Sequence, residues 1–435
     1  MELIQKLIVY KDFNDDESSI LEDMSFLMEH YQDDYYNEED LTALLYENIH
    51  SLLELAGEHG FRGNIWHCYL ANLLVNNENA YSKACEIRGE IVGTINEAVL
   101  HDIRIFKQLF DYRFDNMLCK LDAADSFKLI ENYEPSQEES KIYNSRIRER
   151  ICRLAEAFEK DNTPEEMKKT LTEFYKDYGV GKFGLHKAFR LEHDEDGTHI
   201  VPILNITHVK LDDLVGYEIA KKKLTDNTDA FVEGRKSNNC LLYGDAGTGK
   251  SSSIKAIANE YYDQGLRIIE VYKHQFEYLN DVITQVKNRN YKFIIYMDDL
   301  SFEDFEIEYK YLKAVIEGGL EKKPANVLIY ATSNRRHLVR ERFSDKEDRD
   351  DDLHTNDTVQ EKLSLSSRFG VSIYFGSPDK FEFQGIVKAL AERNGIDMPD
   401  DELFLEANKW ELSHGGFSGR TATQFIDHLL GKKNG

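Results

Sequence analysis

Residues 241–261, LLYGDAGTGKSSSIKAIANEY, pass from a short apolar run through a glycine-rich turn into a helix-forming sequence, and few folds accommodate that succession. Gly244, Gly247 and Gly249 free the turn's backbone to wrap an anion, and the amides opening the next helix point at that anion with the helix dipole behind them. The spacing Gly244-x4-Gly249-Lys250-Ser251 completes a Walker A pattern, with Asp245, Ala246 and Thr248 inside the turn and Ser252 just after it. In such a pattern Lys250 supplies the point charge for the β- and γ-phosphates, and Ser251 offers its hydroxyl to Mg²⁺. Strand-like residues 240–243 before the turn and helix-like residues after it separate this stretch from an isolated glycine-rich surface loop.

From residue 211 the hydrophobic period alternates between helix and strand. Strands are expected over 240–243, 267–272, 292–297, 326–332 and 371–375, with helices over 218–231, 279–287 and 308–318. Such alternation predicts an α/β fold with a five-stranded parallel sheet covered on both faces, its ligand outside the carboxyl ends of the strands. After Pro378 only helical patterns remain, over 381–394, 401–410 and 421–430, which predicts a small helical lid. Residues 1 to about 180 are helical throughout, and residues 188–204 read as two short strands turning at Gly197, with Gly181 and Gly184 loosening the chain before them. The expected division is 1–185, an all-helical N-terminal domain; 186–378, a nucleotide-binding α/β domain with a hairpin-like lead-in; and 379–435, the lid.

The strand over 292–297 delivers Asp298 and Asp299 at its carboxyl end, where one carboxylate can enter a Mg²⁺ shell and the other can stand beside an attacking water. This is a Walker B element. The strand over 326–332 leads to Asn334, which either orients that water or is an ordinary turn residue. Arg335 and Arg336 are turn charges or phosphate-facing groups, and Arg368, just ahead of the last strand, reads by itself as a surface charge. Arg420 falls in the first turn of the last helix, with Ser418 as N-cap; a cation is unfavourable there unless an anionic ligand lies nearby. Phe276 and Tyr278 read as core aromatics or as the tip of a pore loop, and residues 340–360 as a charged surface loop.

The motifs LLYGDAGTGKSS, FIIYMDDLSFE, NVLIYATSNRRHL, LSSRFG and SGRTATQFI occur in the order of AAA+ ATPases, and together they resemble a bacterial family of AAA+ ATP-binding proteins of unknown function. The resemblance covers about the C-terminal half of the chain. It implies ATP and Mg²⁺ as cofactors, with Lys250 and Ser251 as Walker A, Asp298 and Asp299 as Walker B, Asn334 as sensor 1, Arg368 as arginine finger, Arg420 as sensor 2, and Gly216 with Tyr217 at the adenine pocket. It further implies a homo-oligomer, hexameric by analogy, whose hydrolysis cycle acts on a protein partner through the N-terminal domain. Most AAA+ motors carry Asp-Glu where this chain has Asp298-Asp299. A general base must come within about 2.6–3.2 Å of its water, so the shorter Asp299 bears on the rate of hydrolysis. Helicase-loader and initiator-type AAA+ proteins also carry Asp-Asp, which keeps a DNA-transaction ATPase and a slowly hydrolysing nucleotide switch as alternatives.

A formal charge of −26 opposes bulk binding to nucleic acid or anionic membrane. The acidic opening reads as a solvated face or a docking surface for a basic partner, with Tyr35 and Tyr36 as packing residues beside it. Five scattered cysteines read as buried thiols of a reducing compartment, and no stretch is apolar enough to cross a membrane, so the expected location is the cytoplasm.

Overall fold

A computed structural model describes the chain except for residues 1–2, 12, 14, 136–139, 141, 303–305, 318–323, 337, 339–364 and 434–435. The charged segment over 340–360 lies outside the described residues. The chain divides into two compact units, Met1–His186 and Lys187–Gly435.

The first unit is helical. Its helix Ile65–Asn76 is apolar nearly all round, burying Trp66, Tyr69, Leu70 and Leu73 among others, as a helix at the centre of a core must. Helix Ser145–Lys160 packs on it through Ile147, Ile151, Leu154 and Phe158, one face of a 3.6-residue repeat. The fully buried carboxylate of Asp102 accepts hydrogen bonds of 2.6–3.1 Å from the amides of Ile8, Val9 and Tyr10, tying the opening segment to helix Ile95–Phe110. Asp102→Ala is expected to destabilise this unit by about 3 kcal/mol or more, because three amides lose a charged acceptor inside the core. Urea unfolding followed by circular dichroism checks it.

Three expectations are corrected in this unit. Tyr36 packs on Phe26 at 5.0 Å, but Tyr35 is 90% exposed and meets Tyr36 edge to face at 5.3 Å, since Tyr36 already occupies the place against Phe26. Cys119 is exposed on the short helix Asp115–Lys120, whose Met117 and Leu118 take the inward side; the other four cysteines are buried free thiols. Gly181 and Gly184 do not loosen the chain but lie buried in a short helix, Gly181–Leu185. A Cβ on Gly184 would come within 2.6 Å of the Gly179 backbone, so the glycine permits a close approach.

The second unit is built on a sheet of β1 (Ala188–Asp194), β2 (Gly197–Pro202), β3 (Cys240–Gly244), β4 (Leu266–Glu270), β5 (Lys292–Met297), β6 (Val327–Ser333) and β7 (Val371–Phe375), in the order β2-β1-β4-β5-β6-β3-β7. The expected five parallel strands are present, but the sheet has seven strands. The hairpin β1–β2, expected only as a lead-in, joins the edge because β1 pairs in parallel with β4 at Ala188, Phe189 and Arg190. The fold class is α/β, a largely parallel sheet with a strand–glycine loop–helix unit at Cys240–Glu260 and a helical lid after the last strand.

Alternate residues such as Leu242, Ile268, Ile294, Leu328 and Ile373 pack on helices Glu218–Val232 and Lys250–Glu260, while Leu241, Ile269, Ile295 and Ile329 are equally buried on the other face. Both faces are therefore covered, as a parallel sheet requires. Helices Lys380–Arg393, Asp400–His414 and Gly419–Lys433 share a separate small core around Phe383, Val387, Leu403 and Phe425. Phe276 is buried against Phe302, and Tyr278 stacks on His193 at 4.2 Å, so this turn packs both aromatics against neighbouring side chains and leaves neither as a free loop tip. No helix among the described residues is long and apolar enough to cross a membrane.

Candidate functional site

Strands β3, β5 and β6 end side by side, with β6 in the middle, so the residues just past their carboxyl ends converge. Gly244 closes β3 at φ 136°, and a Cβ there would lie 2.0 Å from the Phe375 carbonyl oxygen of β7. Only glycine fits that approach. Asp245 accepts a hydrogen bond from the Ser377 amide at 2.7 Å, which holds its carboxyl below the usual carboxylate range, and its carbonyl accepts one from the Thr248 hydroxyl at 2.8 Å. Gly247 is where the lid meets the loop: its carbonyl accepts from the Arg420 amide at 3.2 Å, and a Cβ would press on Arg420 and Ser418 at 3.1 Å. Gly249 opens helix Lys250–Glu260 without any side-chain cap, so the first-turn amides keep their capacity for an anion.

The Lys250 ammonium has three protons to place. It is 7% exposed, and its Nζ donates to the carbonyls of Gly244 at 3.0 Å and Asp245 at 2.6 Å and to Asn334 Oδ1 at 3.1 Å. Burial lowers its pKa, against the opposing pull of Asp245, Asp299 and Asp298. From the other side the Asn334 amide nitrogen donates to Asp299 Oδ1 at 2.7 Å. Lys250, Asn334 and Asp299 thus form one polar chain across three strand ends.

Asp298 sits below them. Its Oδ1 accepts from the Ser251 hydroxyl at 2.8 Å and the Thr332 hydroxyl at 2.5 Å. Burial works to raise its pKa, but the hydroxyls of Thr332, Tyr296 and Ser251 gathered around it prevail and leave the carboxyl below its usual range. Asp299 has φ 48°, a left-handed conformation that costs a non-glycine residue about 1–2 kcal/mol. Its amide is satisfied there by Thr332 Oγ1 at 2.9 Å and Asp298 Oδ1 at 3.1 Å. Ser251 and Asp298 offer only oxygen ligands, a set that fits a hard divalent cation such as Mg²⁺.

The cleft above these groups encloses about 570 Å³, within the range of a small-ligand site. Of the residues singled out in the sequence, Tyr217, Ala246, Gly247, Thr248, Gly249, Lys250, Ser251, Ser252, Asp298, Asp299, Asn334 and Arg420 line it. Gly244 and Asp245 stand behind the loop and shape it. Gly216, at φ 82°, lies beside Tyr217 without reaching the wall. Arg368 does not line the cleft; it forms an ion pair with Glu317 at the end of helix Glu308–Glu317. Arg335 and Arg336 are exposed and do not line it either.

The sequence reading missed the apolar and hydroxyl parts of the wall. Leu214 and Val215 come from the segment between β2 and helix Glu218–Val232, and Ile386 and Leu390, one helical turn apart, from the lid. The Tyr217 ring packs on Phe375 at 5.3 Å, and its hydroxyl donates to the Gly376 carbonyl at 3.1 Å. Arg393 of the lid donates to the carbonyls of Asp212 at 2.6 Å and Asp213 at 2.8 Å, fastening the lid helix to the mouth. Thr332 had one available signal: it lies two residues before Asn334 and so shares its side of β6.

The family model described as "Protein of unknown function (DUF815)" matches residues 184–433. Among curated proteins the chain is similar to the chromosomal replication initiator protein DnaA of Borrelia garinii subsp. bavariensis, 28% identical over 185 residues that make up 40% of this chain and 34% of DnaA. It is also similar to the replication factor C large subunit of Staphylothermus marinus, 38% identical over 74 residues, or 17% of each chain. The match thus spans 34% and 17% of the lengths of these two relatives. Among solved structures, a mutant of Thermotoga maritima RuvB aligns at 17% identity with a TM-score of 0.36, covering 50% of this chain and 64% of that one.

Proposed function

The chain belongs to the DUF815 family, and we propose that it is an AAA+ ATPase that binds ATP with Mg²⁺ in the cleft and hydrolyses it to drive movement of the lid. The observation that carries this reading is the polar chain from Lys250 through Asn334 to Asp299, set beside the Ser251–Asp298 pair. Lys250 and the amides after Gly249 bind the β- and γ-phosphates, and Lys250 exchanges its loop carbonyls for phosphate oxygens as it does so. Ser251 and Asp298 would hold Mg²⁺, which when bound neutralises charge on the phosphate oxygens. Asp299 takes the proton of the attacking water, while Asn334, already hydrogen-bonded to it, orients that water. Arg420 approaches the phosphates from the lid, which explains a cation in the first turn of a helix. Tyr217, Leu214, Ile386 and Leu390 enclose the base. Arg368, which pairs with Glu317 and does not line its own cleft, serves the site of a neighbouring copy in a homo-oligomer, and the helical N-terminal unit engages a protein partner.

The test is Asp299→Asn, which keeps shape and loses basicity. This variant is expected to retain Mg·ATP and to hydrolyse it at least about 10²-fold more slowly, the scale of a lost general base. Turnover at the parent rate would remove Asp299 from the role. Asp298→Asn should differ by weakening the metal-dependent part of binding.

A second reading, that the cycle serves a DNA transaction, is favoured by one observation: both curated relatives bear names of replication proteins. The charge of −26 opposes it. A steep fall of DNA affinity with salt would support this reading, since each phosphate contact releases counterions.

A further inference from the structure

We infer that Thr332 is a positioning residue that holds both acids of the site through one hydroxyl. This inference rests on the proposed nucleotide chemistry. In the parallel register β5 residues Tyr296 and Met297 face β6 residues Tyr330 and Ala331, which places Thr332 level with Asp298. The strand partner is therefore fixed by backbone pairing, before any side chain is considered.

A hydroxyl has one proton to give and lone pairs to receive with. The proton of Thr332 goes to Asp298 Oδ1 at 2.5 Å, and a lone pair receives the Asp299 amide at 2.9 Å. The residue is 1% exposed and stands at the carboxyl end of β6, where it borders the cleft. Two consequences follow from this one atom. The Asp298 carboxylate keeps the orientation in which its Oδ1 also receives the Ser251 hydroxyl, the arrangement that faces the metal position. The Asp299 backbone stays in its left-handed conformation, which carries the Asp299 carboxylate to Asn334 and away from Asp298. The shorter side chain of Asp299, compared with a glutamate, makes its reach depend on that backbone conformation.

Valine has nearly the volume and strand preference of threonine but no hydroxyl, so Thr332→Val removes both contacts with little change of shape. Serine keeps the hydroxyl and loses only the methyl. The experiment uses the full chain and measures two quantities: the affinity for a fluorescent ATP analogue with Mg²⁺ and with EDTA, and the steady-state turnover of ATP. Thr332→Val is expected to bind the analogue in EDTA as the parent does, to lose about 10- to 100-fold in the tightening that Mg²⁺ brings, and to lose a similar factor in kcat. Thr332→Ser is expected to recover most of both. A folded Thr332→Val protein with the parent's Mg²⁺ response and kcat overturns the inference; so does loss of only one of the two quantities, or a Thr332→Ser protein as impaired as Thr332→Val. Should Thr332→Val not fold, Thr332→Ala, which adds no bulk, is read by the same outcomes. A parent chain that binds no nucleotide, or binds it with no response to Mg²⁺, instead overturns the underlying reading of the cleft.

Discussion

A Lys250→Ala chain is expected to fold and to lose tight ATP binding. The ammonium is the cation seated at the loop itself, the residue is 7% exposed, and its three protons rest on the carbonyls of Gly244 and Asp245 and on Asn334 Oδ1, acceptors that phosphate oxygens can replace. Removing one member of a buried, hydrogen-bonded charge pair costs about 3–5 kcal/mol, which corresponds to roughly 10²- to 4 × 10³-fold in Kd. The fold should survive, because the side chain crosses no hydrophobic core and the loop is also held by the Thr248 hydroxyl on the Asp245 carbonyl and by the Ser377 amide on the Asp245 carboxylate. Isothermal titration with Mg·ATP decides the matter. An unchanged Kd in a folded variant would show that the nucleotide, if it binds, does so elsewhere.

Arg368→Ala is expected to lower ATP turnover by about 10³- to 10⁵-fold, the effect of an arginine supplied to phosphoryl transfer from outside the site. The side chain pairs with Glu317 and does not line its own cleft, so the proposed action is on a neighbouring copy. Lys250→Ala subunits keep the arginine and lack a usable site, whereas Arg368→Ala subunits keep the site and lack the arginine. A mixture of the two inactive variants should regain part of the activity once they co-assemble. The parent rate per subunit should also rise with protein concentration as the oligomer forms. A mixture that stays inactive despite demonstrated co-assembly would reduce Arg368 to the partner of Glu317.

Much of the phosphate side of the cleft was legible in the chain because its determinants are local. The Walker A turn needs glycines at fixed offsets and a helix to follow, and residues 244–251 carry all of that within one turn and its flanks. The strand Lys292–Met297 has the bounds its apolar run suggests, because a strand buried on both faces must be apolar throughout, whereas the edge strand Val371–Phe375 alternates, burying Ile373 and Phe375 and exposing Ser372 and Tyr374. Ser418 caps the last helix as read, accepting the Thr421 amide at 3.0 Å.

What the sequence by itself determined, then, is the parallel α/β alternation, the loop, the acids at the end of one strand and the helices that follow the last strand. Each follows from a period, a turn or a spacing within a few consecutive residues. Tertiary structure alone decided that the hairpin β1–β2 extends the sheet, since pairing with β4 joins residues far apart in the chain and β1 carries no mark of its partner. It alone brought Lys250 to Asn334, Arg393 to the carbonyls of Asp212 and Asp213, and Arg368 to Glu317. Thr332 shows why most plainly: a threonine in an apolar strand suits any sheet, and its hydroxyl gains significance only when the register of β5 and β6 sets it level with Asp298.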